Sequence, residues 1–210
     1  MQVLGALFVA RQFGPELFGF FSFFVSLAQT VSLFVDFGLM ATMVRLAGRK
    51  QNLKAKQFII QATFVLQLLL YACFCLGLYA FKSTLLNAAE VPQQYHVMYD
   101  LALLTASVLW LQLLLKSAMQ VFNSLASIGV FTLTYALARI VFTVLAWRYL
   151  ESDILSFYLA LYLWPLLFSL LVFCVYFGFK LRSKIVFNLD VSAYARDLRE
   201  LLHYGRWMVG

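Results

Sequence analysis

Residues 10–19 read ARQFGPELFG and residues 36–39 read DFGL, with an almost uninterrupted apolar stretch between them. Gly14-Pro15 is a helix-ending pair, because proline lacks a backbone N–H and disfavours helical geometry in the residue before it. A charge at the centre of a spanning helix costs about 2.5 to 3.5 kcal/mol on insertion scales. The pattern therefore predicts two apolar helices joined by a tight turn, with Arg11 and Asp36 as charges that need a partner or a polar cavity.

The composition of the whole chain places these helices in a membrane. Hydrophobic residues make up 64% of the chain and charged residues 12%, against about 25% charged residues in soluble domains. Several stretches reach the roughly 20 apolar residues that one span requires. The predicted fold class is an all-α polytopic membrane protein. We interpret the net charge of +7 as a topology signal and expect no nucleic-acid partner.

The hydropathy pattern predicts a six-helix lobe with a truncated first helix, followed by the start of a seventh helix. After the short first run to Ala10 comes an apolar run over 17–46, which is longer than one span and is interrupted at Asp36 and Gly38. The further predicted spans are 57–81, 98–122, 128–150 and 154–179, the last with a kink at Trp164-Pro165. Residues 82–97 are predicted as a polar connection, and residues 123–127 and 151–153 as turns. The predicted domains are a helix bundle over 1–179, a cytoplasmic amphipathic connector over 180–204 and the start of a second lobe over 205–210.

Basic residues are concentrated in alternate connections, in residues 49–56 and in residues 180–206. Because short cytoplasmic loops carry an excess of Lys and Arg, both connections are predicted to be cytoplasmic. The N-terminus is then cytoplasmic as well. This topology puts Arg11 at the outer end of its helix and Asp36 closer to the cytoplasm.

Four charges in or beside the predicted spans each allow more than one interpretation. Arg11 is an anion-binding group at a cavity wall or a side chain that reaches the headgroups. Asp36 beside Gly38 forms a hinge whose buried carboxylate binds a cation or pairs with a cavity arginine. Alternatively it belongs to a structural pair, for which Arg139 is a candidate partner, or the helix ends near Gly38 and leaves Asp36 at an interface. Arg139 itself, near the middle of its span, contacts an anionic substrate or serves as a structural tie. Lys116, near a helix end, is interpreted mainly as a cation that reaches the interface.

The remaining polar and aromatic residues predict no covalent chemistry. No phosphate-binding glycine loop, metal-ligand cluster or nucleophile motif is recognisable, so the chain is predicted not to be an enzyme and to need no cofactor. Glutamines within the spans can line a cavity or bond between helices. The many Phe and Tyr residues are interpreted as mostly lipid-facing bulk and interfacial belts.

The motifs at the start of the chain resemble those of a known family. The blocks at 10–19, 36–39 and Val44-Arg45, together with MQVFN at 119–123, resemble the O-antigen and exopolysaccharide repeat-unit flippases. These are bacterial inner-membrane proteins of the multidrug/oligosaccharidyl-lipid/polysaccharide exporter superfamily. The resemblance implies two six-helix lobes around a central cavity, of which this chain would be the N-terminal lobe. It also implies undecaprenyl-diphosphate-linked oligosaccharides as substrates.

The resemblance gives the charged residues a role in alternating access. Arg11, Arg139, Lys116 and Arg45 would bind the anionic headgroup, since arginine forms charge-assisted bonds to phosphate; a related lipid II flippase has an arginine-glycine block that Arg11 and Gly14 resemble. Asp36 and Gly38 would form the hinge or charge pair. The implied partners are the polyprenyl-diphosphate-linked glycan, membrane lipids, the second lobe, and polysaccharide polymerase and chain-length proteins. Coupling to H⁺, to Na⁺ or to the membrane potential stays open.

Three alternatives remain at the level of sequence. A cation-coupled multidrug exporter of the same superfamily would have the same helices. A membrane glycosyltransferase or polymerase usually needs acidic or histidine groups in a large outer loop, and residues 82–97 offer only Glu90 and His96. A non-transporting membrane scaffold is the third alternative.

Overall fold

The computed structural model describes residues 2–122, 125–149 and 154–181, and their regular secondary structure is helical. The α-helices are α1 (Gln2–Asp36), α2 (Leu39–Arg49), α3 (Leu53–Ala80), α4 (Lys82–Ala88), α5 (His96–Val121), α6 (Leu125–Tyr149), α7 (Ile154–Tyr158) and α8 (Trp164–Leu181). A short 3₁₀ segment, Gln93–Tyr95, precedes α5, and a π-helical turn, Leu159–Leu163, joins α7 to α8.

Five segments of the described part are long and apolar enough to cross a membrane. They are Phe13–Asp36, Leu53–Ala80, Gln93–Val121, Ala126–Arg148 and Ile154–Tyr176. At a rise of about 1.5 Å per residue, each exceeds the roughly 30 Å hydrocarbon core. The prediction of an all-α polytopic membrane protein is confirmed.

Helix α5 is the centre of the bundle. It packs against α1, α2, α3, α6 and α8. Its buried residues include Tyr99, which belongs to one apolar cluster, and Trp110 and Leu114, which belong to a second cluster further along the helix. The pair α6 and α8 packs beside it, with Phe131 set edge-on against Phe173 at a centroid distance of 5.1 Å.

Helices α3 and α6 show the bilayer-facing surface most clearly. On α3, Leu69 and Leu76 are largely exposed, and on α6 so are Leu133 and Leu137. Exposed apolar surface of this extent marks contact with lipid or with another protein. Because these side chains lie within the spans, lipid is the natural cover.

The first helix break lies at the glycine-proline pair, as predicted. Gly14 has φ 80° and ψ 174°, a combination essentially restricted to glycine. Pro15 then starts the second half of α1, a position where its fixed φ fits and its missing N–H is not needed. The predicted end of the first helix at Gly14-Pro15 is thus confirmed, with the chain resuming helical geometry at once.

The second break divides the long apolar run over 17–46 at the interruption predicted from Asp36 and Gly38. Helix α1 ends at Asp36, Phe37 and Gly38 take positive φ values of 43° and 71°, and α2 begins at Leu39. The predicted interruption is confirmed, but the continuation differs from a span. Helix α2 is short, buries one side against α3 and α5 and exposes Arg45 and Arg49 on the other.

Other boundaries differ locally from the predictions. The connection over 82–97 contains α4 and the 3₁₀ segment, because it packs Leu86 and Val91 into the core rather than leaving the backbone solvated. Helix α6 begins at Leu125, inside the predicted turn, and α8 runs to Leu181, two residues past the predicted domain limit at 179. The predicted connector from residue 182 onward and the second-lobe start at 205–210 lie outside the described residues.

Candidate functional site: a buried arginine on an aromatic column

Arg139 lies deep in the bundle. It stands thirteen residues after the start and nine before the end of the span Ala126–Arg148, or about 20 Å and about 14 Å along the helix. Its side chain is only 7% exposed. The guanidinium is therefore too far from either end for a simple extension to the headgroups.

The guanidinium of Arg139 rests on a tyrosine ring rather than on a carboxylate. Its Cζ lies 4.9 Å from the centroid of Tyr162, a cation–π contact that gains strength where water is excluded. Tyr135, one helical turn earlier on α6, interacts with the same guanidinium through its hydroxyl. Nη2 of Arg139 is buried and has no hydrogen-bond partner among the described residues. A buried donor left in this state costs about 1 to 3 kcal/mol, and more when charged.

Tyr162 belongs to a stacked group that we call the aromatic column, formed by Phe21, Tyr158 and Tyr162. The two tyrosine rings stack at a centroid distance of 5.8 Å, and Phe21 of α1 meets both edge-on at 5.9 and 5.7 Å. The Tyr158 hydroxyl donates to Thr105 Oγ1 on α5 at 3.2 Å. The column thus fixes the position of Arg139 relative to α1 and α5.

The π-helical turn sets Tyr162 under the arginine. Pro165 cannot donate to the carbonyl one turn earlier, which disrupts regular α-helical bonding just before it. The chain responds with a wider turn, in which the Trp164 N–H donates to the Leu159 carbonyl. The predicted kink at Trp164-Pro165 therefore takes the form of a π-turn, a feature frequent at functional sites.

Five of the phenylalanines and tyrosines are exceptions to the sequence interpretation, in which these residues are mostly lipid-facing bulk and interfacial belts. Phe21, Phe24, Tyr99, Phe157 and Tyr158 are almost fully buried, so they are not lipid-facing bulk or interfacial belts. Composition and periodicity did not reveal this role, because an aromatic residue on an apolar helix fits a lipid face and a packed interior equally well. The one local signal was the proline that creates the π-turn.

Substitution of Tyr158 tests the column. Tyr158→Phe removes only the bond to Thr105, and we expect a loss of about 0.6 kcal/mol in unfolding free energy, the average for such bonds in membranes. Tyr158→Leu also removes the ring contacts and is expected to cost about 1 to 3 kcal/mol. Denaturation in mixed micelles measures both. Equal losses for the two variants would show that the ring contacts contribute nothing.

Asp36 is held by a different set of groups from the one predicted. Its Oδ1 accepts the Met40 N–H at 3.0 Å and the Gln67 Nε2–H at 3.2 Å, and Oε1 of Gln67 accepts the Trp110 Nε1–H at 3.1 Å. The alternative in which Asp36 pairs with Arg139 is not realised. The carboxylate instead caps α2 and links it to α3 and α5.

The other predicted cations lie apart from Arg139. Lys116 on α5 is partly buried, with Nζ 5.2 Å from the ring centroid of Phe131. Arg11 and Arg45 are exposed, on the first half of α1 and on α2. The structure thus places the four candidate substrate-binding residues on four different helical segments. Only Arg139 among them is buried with an unpartnered donor.

One face of α1 that is exposed within the described bundle carries polar side chains beside apolar ones such as Leu33. Ser26, Gln29 and Thr30 lie within the span Phe13–Asp36 and are exposed, although a lipid-facing position favours apolar side chains. The exposed face of α6, by contrast, carries Leu133, Leu137 and further aliphatic residues. Phe21 on α1 contacts Tyr162 of the π-helical turn, and the ring of Tyr162 in turn contacts the guanidinium of Arg139 on α6.

Comparison of the chain with protein-family models, with curated proteins and with solved structures finds no match.

Proposed function

We propose that this protein moves a lipid-linked oligosaccharide with a phosphate-bearing headgroup across a membrane. The observation that carries the proposal is the buried Arg139, whose Nη2 has no partner within the described bundle. The motif resemblance at residues 10–45 favours undecaprenyl-diphosphate-linked repeat units as the class of substrate. The bacterial inner membrane and a cytoplasmic N-terminus belong to the same proposal.

A bound anion would resolve the energetic problem that Arg139 poses. The cation–π contact with Tyr162 offsets part of the cost of burying the charge, but Nη2 of the guanidinium remains without a partner among the described residues. Phosphate oxygens accept two parallel bonds from this group. A headgroup that reached Arg139 would therefore gain charge-assisted bonds that no side chain of the described bundle supplies to Nη2.

The polar face of α1 supports a passage for sugars. Hydroxyl and amide side chains such as Ser26, Gln29 and Thr30 exchange hydrogen bonds with sugar hydroxyls and with water. A lipid-linked glycan must carry its sugars past the hydrocarbon core while the polyprenyl tail remains in the bilayer. Exposed polar side chains on α1, set among apolar ones, fit both parts of such a substrate.

Thiol labelling tests whether this face meets water. In a background with Cys73, Cys75 and Cys174 replaced by alanine, we expect Ser26→Cys to react with a membrane-impermeant maleimide. Leu137→Cys on the aliphatic face of α6 is the matched control. We expect at least about tenfold slower labelling of the control, since the thiolate forms in water and not in hydrocarbon. Equal, slow labelling at both positions would exclude a wetted α1 face.

Deletion of the encoding gene tests the function itself. Loss of the protein is expected to remove surface polysaccharide and to leave lipid-linked repeat units in the cytoplasmic leaflet, with both effects reversed by the wild-type gene. Normal surface polysaccharide after deletion would overturn the proposal. Increased drug susceptibility with unchanged polysaccharide would replace it with the multidrug exporter alternative.

A further inference from the structure

We propose that the break between α1 and α2 is a hinge, and that a side-chain latch formed by Asp36, Gln67 and Trp110 holds it in the observed position. The proposal concerns the bundle alone and does not depend on what the protein transports. Its basis is the backbone at the break and the hydrogen bonds that converge on it.

The backbone at the break has the properties of a hinge. Phe37 takes φ 43°, a left-handed conformation that costs a residue with a Cβ about 1 to 2 kcal/mol, and Gly38 follows in the same region. The Phe37 side chain is 52% exposed, so packing of its ring does not impose the strain. The conformation is held by contacts on either side of the break.

The first of these contacts is made by one carboxylate oxygen, which accepts two hydrogen bonds. Asp36 Oδ1 accepts from the backbone N–H of Met40, on the far side of the break, and from the side chain of Gln67 on α3. The last residue of α1 is thereby bonded both to the first turn of α2 and to a different helix. Movement of α1 relative to α3 must break the second of these bonds.

The second contact fixes the partner of Asp36. Gln67 is fully buried, and its amide oxygen accepts from the indole of Trp110 on α5. The indole is stacked between Tyr71, at 5.5 Å, and Phe64, at 6.0 Å, and the Tyr71 hydroxyl donates to the Leu103 carbonyl. The amide of Gln67 is therefore oriented before it reaches Asp36, because one end is held by an indole that cannot rotate freely.

The latch is a continuous series of hydrogen bonds that links three helices, α1, α3 and α5. Removal of the Trp110 N–H leaves the Gln67 oxygen unpartnered and frees the amide to turn, so a change on α5 is transmitted to the break. Outside the latch, α1 and α3 meet near the break through stacking of Phe34 on Phe74, both of which are exposed. Buried Val35, next to Asp36 on α1, also belongs to an apolar cluster that includes Ile59 and Ala62 of α3. The polar bonds add a directional connection to this packing at the end of α1.

Hydrogen exchange of the full chain in lipid nanodiscs tests the latch. Gln67→Leu and Trp110→Phe are expected to speed amide exchange in peptides covering residues 34–43 by about three- to tenfold, the range expected for loss of one such bond. Peptides of α8 are expected to stay at the wild-type rate. Because both substitutions interrupt the same series of hydrogen bonds, the exchange rate of the double variant is expected to be close to that of the single variants. The two accelerations are not expected to multiply.

Gln112→Leu is the matched control. Gln112 is another buried glutamine, on α5, but it donates to Leu166 and Ser169 of α8. The Gln112→Leu variant is expected to show faster amide exchange in α8 but not at the break. Asp36→Asn keeps the oxygen that accepts both bonds and should stay within about twofold of wild type, whereas Asp36→Ala should exceed the latch variants.

Two results would overturn the proposal. Unchanged exchange at residues 34–43 in both latch variants would show that packing alone holds the break. Faster exchange spread equally over α8 would show that the bonds serve only the general stability of the bundle. Trp110→Phe keeps a ring between Tyr71 and Phe64, so it provides a folded test if Gln67→Leu fails to assemble.

Discussion

Replacement of Arg139 by methionine is expected to stop transport while leaving the protein at least as stable as the wild type. An arginine that bonds phosphate contributes about 1.5 to 3 kcal/mol through charge-assisted bonds, so export is expected to fall about 10- to 100-fold. In the absence of substrate, the same side chain is a buried cation with an unpartnered donor. Its replacement by an apolar side chain of similar length removes that cost.

The measurement pairs surface polysaccharide at matched protein level with thermal unfolding of the purified variant. Arg139→Lys keeps the charge without the planar fork and is expected to retain partial export. Arg148→Met, at the exposed end of the same helix, is the control and should export normally. Wild-type export by Arg139→Met would remove the arginine from the mechanism. Strong destabilisation of the Arg139→Met variant would show that Arg139 serves to stabilise the fold.

Substitution of Gly14 by alanine is expected to destabilise the protein by about 1 to 3 kcal/mol. The φ of 80° with ψ of 174° is strained for any residue with a Cβ. Nothing lies within 4 Å of a Cβ built at this position, so the cost arises from the backbone and not from a clash. Pro15 prevents relief, because the residue before a proline cannot simply become helical.

The same substitution elsewhere provides the control for Gly14. Gly19 and Gly48 lie within helices, and a Cβ built on either meets no atom within 4 Å. Alanine at these positions is expected to stabilise by about 0.5 to 1 kcal/mol. Denaturation of the three variants in mixed micelles gives the comparison. If Gly14→Ala is as stable as Gly19→Ala, the break does not require its glycine.

The sequence was informative about features that depend on residues close together along the chain. Both breaks, at Gly14-Pro15 and at Asp36–Gly38, were predicted, because proline, glycine and a charge inside an apolar run act locally. The membrane-spanning helices followed from hydropathy in the same way. The short helix α4 was missed, since seven residues are too few for a hydrophobic period to stand out from the polar connection around them.

The partners of the charged residues could not be predicted, because they depend on how the helices pack. Asp36 was left between a hinge, a charge pair with Arg139 and a helix end at an interface. Only the arrangement of α3 and α5 gives it Gln67, which Trp110 holds in turn. Tyr162 under Arg139 likewise depends on the π-turn and on the contact between α6 and the segment before α8. Orientation in the membrane and the substrate remain predictions from charge bias and resemblance.

Binding of a diphosphate-linked polyprenyl lipid to the purified protein in nanodiscs tests the central claim most directly. The claim is that Arg139 binds a phosphate-bearing headgroup inside the membrane. Wild-type protein is expected to bind this lipid more tightly than the uncharged polyprenol, and Arg139→Met to lose at least about tenfold in affinity for the diphosphate form alone. Equal affinity of the wild type and Arg139→Met for the diphosphate-linked lipid would contradict the account.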